Sequence, residues 1–212
     1  SSYIDAAGSG QITIRYSLKL APSSVSFLTS SPTSSKNLRL EVRTSADAVI
    51  DPKDITFSGS ASSQTEFVVT QISKLSARAE TVYVFNVRQL SAKPISGELI
   101  AAISGTKSKT IDLDQTVPTA QISIQPATLR ADVKVYDVKL SESVQSLTRS
   151  NFAIIGTSAD CEIGYLIGAN TNFQMSLTKC TDGTFGLKLL ANSIRDSAGN
   201  LGPVTEISSE LN

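Results

Sequence analysis

The residue types that ordinarily do chemistry are sparse in this chain and poorly spaced for it. Its 212 residues include no histidine, which removes the commonest general base, the Ser-His and Cys-His nucleophile systems and most zinc sites. Two Ser-x-x-Lys matches occur, Ser176 with Lys179 and Ser104 with Lys107. The first falls on an expected strand, where residues three apart face opposite sides of the sheet, so hydroxyl and amine do not meet. The second falls in an expected loop. No phosphate-cradling glycine loop precedes a helix, and the acidic residues scatter among expected loops and solvent faces. These absences point to a chain that is not an enzyme.

The two cysteines, Cys161 and Cys180, flank the polar turn at 168–172 symmetrically, so a hairpin would bring them near each other at its open end. Pairing Ile163 with Leu177, Tyr165 with Met175 and Ile167 with Phe173 keeps one apolar face together but sets Cys161 opposite Lys179. A bulge near Cys180 would repair the mismatch. Two readings stand. One is a disulfide, which implies maturation in an oxidising compartment; the other is two free thiols, one buried and one at a strand end. A redox pair is not expected without a Cys-x-x-Cys.

Nineteen basic residues balance nineteen acidic ones, and only 18% of the chain is charged. No large single-sign field results, so nucleic acid is not an expected partner. The longest apolar runs, such as Leu99 to Ile103, fall far short of the roughly 20 residues of a membrane-spanning helix. No charged-then-apolar leader opens the sequence, so a secreted origin would make this a mature or excised fragment.

What must position any site is a set of strands. Helix-period patterns are nearly absent, while short alternating runs (Ile163, Tyr165, Ile167; Phe173, Met175, Leu177; Phe185, Leu187, Leu189) are separated by Gly, Asn, Asp and Ser. The pattern repeats. Val25 and Phe27 match Ile122 and Ile124, and the run at 54–59 matches that at 151–156, both at an offset of 97. Tyr83, Phe85 and Val87 then match Phe173, Met175 and Leu177 at an offset of 90. Indels confined to loops preserve a core and vary a surface, so two copies of one all-β sandwich are expected, over 22–113 and 114–212. Residues 1–21 read as the tail strand of a preceding copy, on the match of Asp5 to Gly8 with Asp196 to Gly199, or as an N-terminal extension. Pro118 stiffens the connection at 111–120, which implies a rod-like arrangement.

Between Ser141 and Asn200 stand Ser141-Glu142-Ser143-Val144, Asn151-Phe152, Phe173, the Asp182-Gly183 turn, and Asp196 to Asn200. With these features the stretch resembles the bacterial Ig-like repeats of large secreted and surface proteins of adhesin type. The resemblance implies two tandem Ig-like β-sandwich domains, an extracellular or cell-surface location, further Ig-like repeats in the same parent chain, and a stalk or spacer role with a surface protein or glycan as ligand. In that fold the loops after the second and sixth strands lie where the chain enters, which gathers Glu142, Asp196 and Asn200 near Asp112 and Asp114. Such a set of hard oxygens suits calcium. Alternatively, Asp196 and Asn200 only shape their turn and the linker acids are solvated. The other functional reading is an accessory carbohydrate-binding module of a secreted hydrolase, for which Tyr136, where the alternation of its strand slips, is the aromatic expected at the surface.

Overall fold

Alternating β-branched and aromatic residues favour half-buried pleated strands, and the computed structural model is built from them. It describes residues 21–46, 48–126, 133–180 and 182–211. The reading of 1–21 as a tail strand lies, apart from Ala21, outside the described residues. The first half comprises β1 (Ser24–Phe27), β2 (Asn37–Ser45), β3 (Thr56–Ser58), β4 (Phe67–Ser76), β5 (Glu80–Gln89), β6 (Ser96–Ile103), β7 (Thr106–Lys107) and β8 (Ile111–Asp114). The second comprises β9 (Ala120–Ile124), β10 (Val133–Leu140), β11 (Phe152–Gly156), β12 (Glu162–Ala169), β13 (Asn172–Thr178), β14 (Phe185–Leu189), β15 (Ile194–Arg195), β16 (Leu201–Gly202) and β17 (Ile207–Ser208). The only helical pieces among the described residues are three short 3₁₀ turns.

One sheet of the first half has the order β1-β2-β5-β4, and the facing strands are β3, β6, β7 and β8, gathered around β6. The second half repeats this as β9-β10-β13-β12 facing β11-β14-β17, with β15-β16 as a small extra hairpin. The protein is all-β, built as two Ig-like sandwiches. Each half buries its own core. Leu38, Leu40 and Val42 of β2 and Tyr83, Phe85 and Val87 of β5 meet Leu99, Ala101, Ile103, Ile111 and Leu113. In the second half Tyr136, Val138, Leu140, Met175 and Leu177 meet Phe152, Leu187, Leu189 and Ile194. Each fully buried side chain of this size stabilises by about 1.5–3 kcal/mol relative to exposure.

Two expectations fail here, for related reasons. Tyr136 is not at the surface: it is 0% exposed and packs in the core with Val138 and Leu140. The slip in alternation arises because Val135, on the opposite face, is buried as well. Burial raises the Tyr136 phenol above its ordinary pKa, and its hydroxyl is buried without a hydrogen-bond partner among the described residues. The register of the β12-β13 hairpin also departs from the expected one. Ile163 does pair with Leu177, but Met175 faces Leu166 and Phe173 faces Gly168, because a bulge intervenes between Ile163 and Leu166. Tyr165 and Ile167 therefore turn away from the core and are 38% and 56% exposed.

The cysteines are joined. Cys161 and Cys180 form a disulfide with their Cα atoms 4.3 Å apart. Register would set Cys161 opposite Lys179, but β13 ends at Thr178 and Lys179 adopts a left-handed conformation, φ 60°. That single residue redirects the chain so that Cys180 meets Cys161.

Candidate cation site at the junction between the two sandwiches

The connection between the halves is only three residues long once its anchors are counted. Gln115 is buried and belongs to the first half: its backbone N–H donates to the Ile95 carbonyl, and its Nε2 donates to Gln89 Oε1 at 2.6 Å. Thr119 belongs to the second half, exchanging hydrogen bonds with Ser141. Between them Pro118 lies against Gly202, where a Cβ would collide with the Pro118 carbonyl. Only glycine admits this close approach.

Three segments converge beside this linker. β8 delivers Asp114 at its last position. The backbone after β10 delivers Glu142, fixed by Ser141 on one side and by the bridge of Val144 to Asp196 on the other. The β15-β16 hairpin delivers Asp196. One carboxylate oxygen from each of Asp114, Glu142 and Asp196 lies within 4.8 Å of the others. Asp196 is fully buried and the other two are half-buried.

Asp196 is held by its own turn. Its Oδ1 accepts from the Gly199 and Asn200 backbone N–H groups at 2.7 and 2.8 Å, and its Oδ2 accepts from Asn200 Nδ2 at 2.7 Å. Asn200 Nδ2 also donates to the Asp114 carbonyl at 2.8 Å, tying the turn to the end of β8. Asn200 thus enters the site as a clamp between two of the acids. Asp114 Oδ1 accepts from the Thr116 N–H at 3.0 Å. Asp112 stands apart from the three carboxylates: its N–H donates to Ser31 Oγ, which lies 3.4 Å from its own Oδ2.

None of the ion pairs among the described residues involves Asp114, Glu142 or Asp196. The electrostatic consequence appears at Glu142. Burial raises its pKa above the usual carboxylate value, and the charges of Asp114 and Asp196 raise it further. A raised folded-state pKa contributes stability that is present at acid pH and is lost as pH rises through that pKa. Ionised Glu142 therefore opposes folding at neutral pH. Glu142→Gln is expected to raise the melting temperature at pH 7 in chelator and to remove that gain at pH 4. Asp196→Ala is expected to cost about 1–3 kcal/mol in denaturant unfolding, because it strands two backbone donors and the Asn200 amide.

Donors here are oxygen only, without thiolate or imidazole, which suits hard cations such as Ca²⁺ better than zinc or copper. In the first half the turn that follows β6, Ser104-Gly105, has left-handed φ values of 47° and 88° and carries no acid. It joins Ile103 to Thr106, which reaches the Pro22 carbonyl near the start of that half. One further contact has no signal in the sequence: the hydrogen bond from Ser34 N–H to the Ala198 carbonyl at 3.1 Å, which closes the junction from the loop between β1 and β2.

No family model matches the chain, and no curated protein matches it. Among solved structures it is similar to the Escherichia coli adhesin FdeC at 9% sequence identity and a TM-score of 0.46, over 88% of this chain and 61% of that one. The chain thus spans about three-fifths of that structure's length.

Proposed function

We propose that this chain is a non-enzymatic, tandem Ig-like segment of a bacterial cell-surface or secreted protein. It acts as a spacer that sets the position of further repeats or of an adhesive end, and calcium stiffens its junction. The observation that carries the reading is the convergence of Asp114, Glu142 and Asp196 beside a three-residue linker. Three carboxylates from three segments repel one another unless a cation joins them, and a cation there would fix the two sandwiches relative to each other. The Cys161–Cys180 disulfide supports passage through an oxidising compartment. The motif resemblance at 141–200 supports the surface setting. The second half, entered through the linker that follows Gln115, is read as a copy of the first.

Calcium titration of the chelated protein, followed by melting temperature, tests this. Extracellular-type sites bind in the range of about 10⁻⁴–10⁻³ M, and a tenfold excess over Kd stabilises by about 1.4 kcal/mol. A rise at millimolar calcium that Asp114→Ala and Glu142→Gln both abolish is the expected result. No rise, or an equal rise in those variants, rejects the calcium junction. Small-angle scattering with and without calcium reads the spacer directly: narrowing to an extended particle on calcium addition is expected.

A further inference from the structure

A groove of about 490 Å³ opens on the outer face of the β9-β10-β13-β12 sheet. Cross-strand register places Ser123, Asp137, Gln174 and Ile167 in one row across all four strands, with Gln121, Lys139 and Asn172 in the next. With strands about 4.8 Å apart, such a row is about 14 Å long. At its centre Asp137 Oδ1 accepts from Gln125 Nε2 at 2.8 Å and from Gln174 Nε2 at 3.2 Å. These bonds orient both amides. Among the described residues, Asp137 Oδ2 and the two glutamine Oε1 atoms take no hydrogen bond.

The side of this face formed by β12 is apolar because of the bulge. Alternation from Ile163 would have buried Tyr165 and Ile167. The bulge after Ile163 sends Leu166 to the core instead and leaves Tyr165 and Ile167, two residues apart, exposed on the outer face, Ile167 lining the groove and Tyr165 flanking it. Gly164 permits it, since a Cβ there would strike the Ser176 hydroxyl, which itself accepts from the Tyr165 N–H at 2.9 Å. Bulges that re-aim side chains are frequent next to binding sites.

We propose that this face binds an uncharged oligosaccharide. Side-chain amides and a carboxylate supply donors and acceptors side by side, as neighbouring sugar hydroxyls require, and the Tyr165 ring with Ile167 offers an apolar surface to the C–H face of a pyranose. A peptide added as a strand would need an open edge, whereas β10 and β13 under the groove are paired on both sides. An anionic ligand would face the Asp137 carboxylate. The inference goes beyond the spacer reading and does not rest on calcium.

The test is the full chain on an array of neutral gluco-, galacto- and manno-oligosaccharides beside sialylated and sulfated ones, with hits measured by calorimetry. Binding to neutral glycans is expected, weakened about tenfold or more in Asp137→Ala and in Tyr165→Ala, and unchanged in Leu75→Ala on the exposed surface of the first half. Tyr165→Ala alters an exposed side chain, so its effect is separable from any folding defect of Asp137→Ala. No neutral-glycan binding, binding confined to the anionic probes, or full affinity in both groove variants overturns the proposal. Each of those outcomes leaves the spacer reading standing, since that is read by calcium and scattering at other residues.

Discussion

Phe85→Ala is expected to destabilise the first sandwich by about 3–5 kcal/mol and to leave the melting of the second unchanged. Phe85 is fully buried among Leu40, Tyr83 and Leu99 in a core that shares no residue with the one around Met175 and Leu187. Truncating the ring removes its transfer free energy and leaves a cavity that close-packed neighbours fill only in part. For a unit of this size each kcal/mol moves the midpoint by about 4–8 °C, so calorimetry should show one transition fall by well over ~10 °C. Leu187→Ala should do the converse, lowering the other transition through a loss of about 2–5 kcal/mol. If either variant moves a single common transition, the two cores unfold as one unit and the reading of two independent domains is wrong.

The link between the cores is polar and small. Ser34 to Ala198, Asn200 to Asp114 and the Pro118–Gly202 contact are its main elements. Independent transitions are therefore expected in chelator. Calcium should couple them, since Asp114 ends the first half and Glu142 and Asp196 belong to the second.

The alternation of apolar residues carried most of the fold because a period of two fixes which face of a strand is buried. It was read correctly in β5, where Tyr83, Phe85 and Val87 all face the core. It misled in β12, because a bulge inserts one residue and reverses every later side chain; Gly164 was the only local signal, and a single glycine marks many other things. At Tyr136 both faces of the strand are buried, so the period carries no information there. The junction acids were legible only through the expected topology, since Asp114, Glu142 and Asp196 are far apart in sequence. Asp112 lies in the same connecting stretch of sequence as Asp114, yet its nearest partner is Ser31, from a loop whose path no pattern announces. The groove amides were invisible for a different reason. Gln125, Asp137 and Gln174 read singly as solvent-facing polar residues, and only register brings them together.

Joint replacement of Cys161 and Cys180 by serine is expected to lower the stability of the second sandwich by about 3 kcal/mol, with the first unaffected. The bridge closes a loop with a sequence separation of 19, and loops of about this length lose on the order of 3 kcal/mol of unfolded-state entropy when cross-linked. The loop is not a free coil in the native state, since β12 and β13 fill it, so reduction should leave the hairpin formed and act through the unfolded ensemble. Cys180 is buried against the core and Cys161 packs beside it, so serine also places a hydroxyl in an apolar site. Cys161→Ala with Cys180→Ala separates the two effects: it keeps the entropic loss and omits the buried hydroxyls. Chemical denaturation of the oxidised protein, the reduced protein and both double variants is the measurement. A reduced protein as stable as the oxidised one would show that the bridge contributes nothing to folding. A loss confined to the serine pair would assign the effect to polarity in the core instead of to the cross-link.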